Sequence, residues 1–331
     1  MRLRWFGLWA LALVAFCAAA GAWWVNAALG PRDATGESVA FEVTDGASLA
    51  SVSASLEEAG LADALAFEWL ARYRGLGSEL KAGEYELTPR ESAEQILERL
   101  TSGWVRMHTV SIPEGLRATE IAERLERAGL ADSVEFLDGV ANAAWIRELG
   151  LEGDSFEGYL FPETYRLARG LSTRAVLEAF ADQFLAHWQM IEPAAREAGL
   201  SMREVVILAS IVEKETGVPA ERPRIASVFL NRLAAGMRLQ TDPTVIYGVQ
   251  DFDGNLTRAH LNDASNPYNT YQIQGLPPGP IANPGADALR SVVEPEASEF
   301  LYFVARGDGS HKFSKTYGEH ARAVDRFQRG Q

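Results

Sequence analysis

The eight residues Leu56-Glu-Glu-Ala-Gly-Leu-Ala-Asp63 return as Leu125-Glu-Arg-Ala-Gly-Leu-Ala-Asp132, and Phe67 returns as Phe136 at the same offset. Upstream, Val43 and Gly46 map at that offset onto Ile112 and Gly115. A strand, a glycine turn and a helix thus occur twice in one register, so two related modules are expected rather than one continuous core. A weaker echo links Gly83-Glu84-Tyr85, Pro89 and Ser92–Leu97 to Gly158-Tyr159, Pro162 and Ser172–Leu177. Two unrelated helices sharing an Ala-Gly-Leu ending are the competing explanation. Alternation of Val39, Phe41 and Val43 up to Asp45-Gly46 reads as a strand, and helical periodicity starts at Ser48.

Between Arg4 and Arg32 no charged residue occurs, and the stretch is built of Leu, Ala, Val, Phe and Trp. A helix rising about 1.5 Å per residue crosses a hydrocarbon layer of about 30 Å in roughly 20 residues, and Trp5 and Trp23-Trp24 stand where interfacial aromatics belong. Residues 1–31 are therefore expected to be a cytoplasmic stub and one transmembrane anchor, with the arginines inside, the body outside and 32–38 as linker. A signal peptide cleaved after Ala20-Gly21-Ala22 is the competing reading. Cys17 follows the bulky Phe16, which does not suit a lipoprotein site, so it reads as apolar filler. The rest of the chain should fold in water, because 47% hydrophobic and 23% charged residues are ordinary for a globular protein. A net charge of -14 with no Lys/Arg run to offset it excludes nucleic acid as a partner.

From about residue 191 the texture changes to apolar helices, then to a stretch rich in Asn, Tyr, Pro and Gly from Asn262 to Gly285. The expected division is a module at 39–105, a related one at 106–190 and a third domain at 191–331. Ser201 and Glu204 form a capping box, and the helix they open runs through Val205, Leu208, Ala209 and Val212 until Gly217 and Pro219 stop it. At about 100° per residue Glu215 lies roughly 60° from the centre of the apolar stripe, Lys214 points nearly opposite and Glu213 lies farther off. A carboxyl that leans inward at the negative end of a helix should hold its proton above the usual range, as a general acid near neutral pH requires. A plain ion pair of Glu215 with Lys214, Arg222 or Arg224 is the bland alternative. Tyr247, Tyr268, Asn269, Tyr271 and Asn283 supply flat rings and amides of the kind a sugar cleft uses, although turn chemistry also explains the asparagines. Asp242 reads either as an electrostatic helper or as a helix cap before Pro243. His311 and His320 lack metal-ligand spacing and read as satisfied or surface histidines, so no metal and no cofactor are expected.

Four ordered motifs carry a resemblance: Ala209-Ser-Ile-Val-Glu-Lys-Glu-Thr216, Gly236-Met-Arg-Leu-Gln-Thr-Asp-Pro-Thr-Val-Ile-Tyr-Gly248, Asn266-Pro-Tyr-Asn-Thr-Tyr271 and Gly275-Leu-Pro-Pro-Gly-Pro-Ile-Ala-Asn-Pro-Gly285. Together with Gly158-Tyr-Leu-Phe-Pro162 they resemble the endolytic murein transglycosylases, also called YceG-like. The resemblance implies an α+β chain: an N-terminal transmembrane helix, LysM-like modules and a mixed α/β catalytic domain. It also implies that Glu215 is catalytic, that Thr216 supports it, and that Gly236 to Gln240 plays the part of the Gly-Leu-Met-Gln motif of soluble lytic transglycosylases, with Gln240 on the substrate. The implied reaction cuts glycan strands of peptidoglycan without water, leaving 1,6-anhydro ends and ending glycan elongation. Implied partners are peptidoglycan strands, cell-wall synthesis enzymes and the inner (cytoplasmic) membrane, with the body periplasmic. Two other functions stay open on the sequence: a non-catalytic peptidoglycan-binding scaffold, and a muramidase using Asp242 or Glu221 as a second carboxylate.

Overall fold

Leu56 and Leu125 occupy the same place in two similar helices of the computed structural model, which describes residues 16, 21, 23, 24 and 26–330. In the first copy, β1 (Val39–Val43) leads through α1 (Leu49–Glu58) and α2 (Ala64–Tyr73) to β2 (Gly83–Leu87) and α3 (Ala93–Ser102). In the second, β3 (Met107–Ser111) leads through α4 (Ala118–Arg127), α5 (Ser133–Val140) and a short α6 (Ala143–Glu148) to β4 (Thr164–Ala168) and α7 (Thr173–Glu197). The repeated residues do the same work in both. Leu56 and Leu125 are fully buried, as are Phe67 and Phe136. Gly60 and Gly129 end the first helix at φ of +70° and +65°, where a Cβ would be strained. Asp63 and Asp132 then cap the next helix, accepting the Ala66 and Glu135 N–H groups at 3.0 and 2.9 Å.

The chain divides into two compact units. One ends at Thr109 and adds Gly129–Ala131 and Arg166–Ser172, and the other takes Val110–Ala128, Asp132–Tyr165 and the chain from Thr173 onward. In the first, β1 and β2 pair antiparallel with Phe41 opposite Tyr85. Their inner faces close on α1, α2 and α3 through Val43, Leu56, Phe67, Leu87, Ile96 and Leu100. In the second unit α8 (Met202–Glu215) is central. Helices α7, α9 (Arg222–Ala234), α10 (Asp242–Tyr247) and α12 (Ala286–Val293) all pack on it, which is why Val205, Val206, Leu208, Ala209, Ile211 and Val212 are all buried. The short α11 (Arg258–Asn262), an antiparallel hairpin of β5 (Tyr302–Ala305) and β6 (His311–Ser314), and the terminal α13 (Tyr317–Gln328) complete this unit.

The expected boundary at 190/191 falls inside α7, which runs unbroken from Thr173 to Glu197. The change of texture there belongs to one helix, whose Trp188 and Ile191 face inward while Met190 is exposed. The segment from 110 to 190, apart from the short pieces named above, shares a unit with the chain after 191. Most of the expected anchor at 1–31 lies outside the described residues. Among the described residues, no helix is long and apolar enough to cross a membrane.

Candidate active site

Ser201 starts α8 with the expected capping box: its Oγ accepts the Glu204 N–H at 3.3 Å while Glu204 accepts the Ser201 N–H at 2.9 Å. Glu215 is the last helical residue, because Thr216 turns to extended backbone at φ −139°. The carboxyl is thereby placed at the carbonyl end of α8, on the floor of a cleft of about 470 Å³. Lys214, Arg222 and Arg224 do not pair with it. Lys214 reaches the Gly115 carbonyl, Arg222 binds Glu213 and Glu114, and Arg224 binds Glu296. Burial pushes the Glu215 carboxyl up to about 7; the Thr241 hydroxyl, which donates to its Oε1, pulls the other way, and nearby Asp242 adds to the rise. The desolvated helix-end carboxyl read from the sequence is thus present, and among the described residues it makes no ion pair, although Arg232 and His311 nearby favour its charged form.

Thr241 went unremarked in the sequence. It stands at the N-cap position of α10, yet its hydroxyl makes no cap bond and is turned to Glu215 instead. Two other threonines hold it there. The Thr241 N–H donates to Thr270 Oγ1 at 3.0 Å, Thr244 Oγ1 donates to the Thr241 carbonyl at 2.7 Å, and the Thr244 and Thr270 hydroxyls lie 2.8 Å apart. All three are buried. Gln240, just before, has a left-handed φ of +51°, a conformation that costs a non-glycine residue about 1–3 kcal/mol and that accumulates at functional sites. A threonine ahead of Asp-Pro was the available signal, since Pro243 in the first turn implies a cap just upstream.

Thr241→Val should therefore remove a bond that favours the ionised form of Glu215. The rate of any reaction needing neutral Glu215 should fall as pH rises through about 7 in the parental protein. In the valine variant that alkaline limb should move to higher pH, with the maximal rate down by roughly three- to tenfold. A pH–rate profile whose limb stays in place would contradict the role given to Thr241.

Of the other residues singled out, Gln240, Asp242 and Tyr271 line the Glu215 cleft. Asp242 is the first residue of α10 rather than its cap, and its Oδ1 accepts the Tyr271 hydroxyl at 2.7 Å. The remaining five do not open on this cleft. Thr216 accepts the Val218 N–H at 2.9 Å and shapes the turn after α8. Asn269 is fully buried, donating to the carbonyls of His260, Leu261 and Asp263 while accepting from Tyr271 N–H, and so pins a turn.

Asn283 is also fully buried. Its Oδ1 accepts from Gly158 and Leu160 at 2.8 and 2.9 Å, and its Nδ2 donates to Leu116 and Glu157 at 2.9 and 2.8 Å. No donor or acceptor remains for a sugar, so Asn283 is a structural clamp. Gly158 is obligatory beside it: at φ +89° a Cβ would lie 2.6 Å from Pro280 and from Val206. Tyr247 and Tyr268 lean together at 4.7 Å and line a second hollow, where Tyr247 donates to Glu157. Burial lifts the Glu157 carboxyl to about 7, but its hydrogen bonds go to the protein: the Ala118 N–H, Asn283 and Tyr247.

The cleft also holds Arg232, which no sequence motif singled out, and the two histidines His311 and His320. Arg232 is anchored through Nε to the Leu301 carbonyl and through Nη1 to the Leu239 carbonyl, and its guanidinium lies over the Tyr302 ring at 5.2 Å. His320 stacks on Tyr302 at 5.2 Å, and His311 faces the same space. Among the described residues no cluster of His, Cys, Asp and Glu is arranged to hold a metal.

An endolytic murein transglycosylase of Bacillus subtilis is 29% identical over 306 residues, covering 87% of this chain and 84% of that protein. One of Streptococcus pneumoniae is 28% identical over 327 residues, covering 89% of this chain but 59% of that longer protein. The crystal structure of a yceG-like protein from Listeria monocytogenes superposes with a TM-score of 0.60 at 31% identity, covering 86% of this chain and 98% of that one. The profile of the YceG-like family matches residues 41–326, and the chain belongs to that family.

Proposed function

We propose that the chain is an endolytic lytic transglycosylase, cutting the β-1,4 bond between N-acetylmuramic acid and N-acetylglucosamine to leave a 1,6-anhydro end. The observation that carries this reading is one carboxyl, Glu215, held on a cleft floor with its proton affinity raised to about 7 and a hydroxyl donor at Oε1. Neutral Glu215 protonates the bridging oxygen as the C1–O bond breaks. As carboxylate it then takes the proton of the muramic 6-hydroxyl while that oxygen bonds to C1, so Glu215 ends protonated as it began. Hydrolysis would need a second carboxylate to activate water or attack the sugar. Both candidates are engaged: Asp242 accepts the Tyr271 hydroxyl, and Glu221 binds His311 through both oxygens. The names of the bacillary and pneumococcal relatives support the same reaction.

Around this chemistry the uncharged N-terminal stretch is an anchor in the cytoplasmic membrane, with the body on the periplasmic side. The module at 39–105 is a LysM-like unit that keeps glycan near, and the exposed, stacked rings of Trp69 and Tyr73 on α2 offer it a flat face. Strands under synthesis are the substrate, synthesis enzymes the neighbours and termination of elongation the outcome. Mass spectrometry of fragments released from glycan strands tests the reaction: the new muramic end should be one water lighter than a reducing end. Reducing ends would make the chain a muramidase, and intact strands would make it a scaffold.

A further inference from the structure

His311 is the first residue of β6, and it is gripped from one side. Glu221 sits in the short 3-10 turn Pro219–Glu221 between α8 and α9. Its Oε1 accepts the His311 backbone N–H at 3.0 Å and its Oε2 lies 2.7 Å from His311 Nδ1. A carboxylate only accepts, so Nδ1 carries the hydrogen and Nε2 is the nitrogen left over. Phe303 on β5 meets the imidazole edge to face at 5.5 Å and 90°, which fixes its plane. The ring lines the same cleft as Glu215, and its Nε2 has no hydrogen-bond partner among the described residues. Across that space stand Glu215 at the end of α8, Asp242 on α10, Arg232 on α9, Tyr271 from the loop after α11, Tyr302 on β5 and His320 on α13. A histidine that merely filled space would not need a carboxylate that holds its backbone N–H with one oxygen and its ring Nδ1 with the other. This grip on one nitrogen, leaving the other open to a cleft, is how imidazoles are oriented for work on a ligand.

We propose that His311 is a substrate-contacting residue of the glycan cleft, presenting Nε2 to the bound sugar, and that Glu221 is its positioning residue. The inference rests on the glycan-cleaving reading of Glu215, but the contact can be read by binding alone. Two substitutions separate the ring's nitrogens. Asparagine keeps an amide near the position of Nδ1, and so keeps the Glu221 contact, but does not reach the position of Nε2. Glutamine reaches Nε2 but loses the Nδ1 geometry.

The experiment measures affinity for a tetrasaccharide of alternating N-acetylglucosamine and N-acetylmuramic acid, with Glu215→Gln as the parental background to prevent cleavage. His311→Asn is expected to weaken Kd about tenfold, and His311→Gln to stay within about threefold of the parent. In the otherwise unmodified chain the cleavage rates should follow the same order. Equal affinities for the two variants, or the asparagine variant binding better, would overturn the proposal, since a purely structural partner of Glu221 is preserved by asparagine. Glu221→Gln keeps the volume and lets the ring take its other tautomer. It should weaken Kd about three- to fivefold without lowering Tm by more than about 3 °C, and an unchanged Kd there would also overturn the assignment. Tetrasaccharide bound with this order of affinities but never cleaved would remove the transglycosylase reading and leave His311 in place.

Discussion

Glu215→Gln is expected to lower the rate of glycan cleavage by about 10²–10⁴-fold, the range that a positioned general acid and base contributes. The amide keeps the side chain's length, and its Oε1 can still accept the Thr241 hydroxyl, so the cleft should keep its shape and its affinity for glycan. What it loses is the proton, which in the proposed reaction must leave and return at this one group. A rate near that of the parent would remove Glu215 from the mechanism. The same variant should also be more stable in mild alkali. Burial raises the folded-state carboxyl from 4.5 to about 7, so the folded protein binds this proton more tightly than the unfolded chain. That contribution is complete below about 4.5 and is lost as pH climbs through 7. Above that range the parent carries a desolvated carboxylate that glutamine removes. At pH 8 denaturant unfolding should favour Glu215→Gln by about 1–3 kcal/mol, and near pH 4.5 the two proteins should unfold alike.

Local signals in the chain were legible, and distant ones were not. The repeat predicted two related modules, and burial, glycine turns and Asp caps match at 56–67 and 125–136 because all of these depend on residues a few positions apart. Ser201 and Glu204 announced the start of α8, and helical phase placed Glu215 inward. The partners of Glu215 could not be seen that way. Thr241 lies 26 residues on, and it is fixed by Thr270, a further 29 residues away. His311 was judged on its spacing to carboxylates, yet the carboxylate that grips it is 90 residues earlier. Asn269 and Asn283 have the chemistry of sugar ligands, but full burial gives every polar atom a protein partner. Composition shows which groups are present, and only the fold shows which of them are already satisfied.

Glu213 is the sharpest case. Helical phase places it farther from the apolar stripe than Glu215. In the structure its side chain is 6% exposed. One oxygen pairs with Arg222 at 2.6 Å, and the other accepts the Gly285 N–H at 3.1 Å. Burial holds its carboxyl above the usual range even with Arg222 beside it, and Glu114 adds to the rise. Glu213 thus ties the end of α8 to the start of both α9 and α12. Removing one member of a buried pair leaves the other desolvated and costs about 3–5 kcal/mol. Here Arg222 keeps Glu114 at 3.1 Å, a partner 45% exposed, so the low end of that range applies. Glu213→Gln should therefore destabilise the protein by about 3 kcal/mol, roughly 6–12 °C in Tm for a unit of this size. The cleavage rate per folded molecule should stay within a few-fold, because Glu213 does not line the Glu215 cleft. Adding Arg222→Met should restore part of the loss, since the buried guanidinium left with only the half-exposed Glu114 is the main cost and the double variant lacks it. A Glu213→Gln protein with parental Tm would show that Glu114 alone satisfies Arg222. A stable variant without activity would instead move the proton chemistry from Glu215 to Glu213.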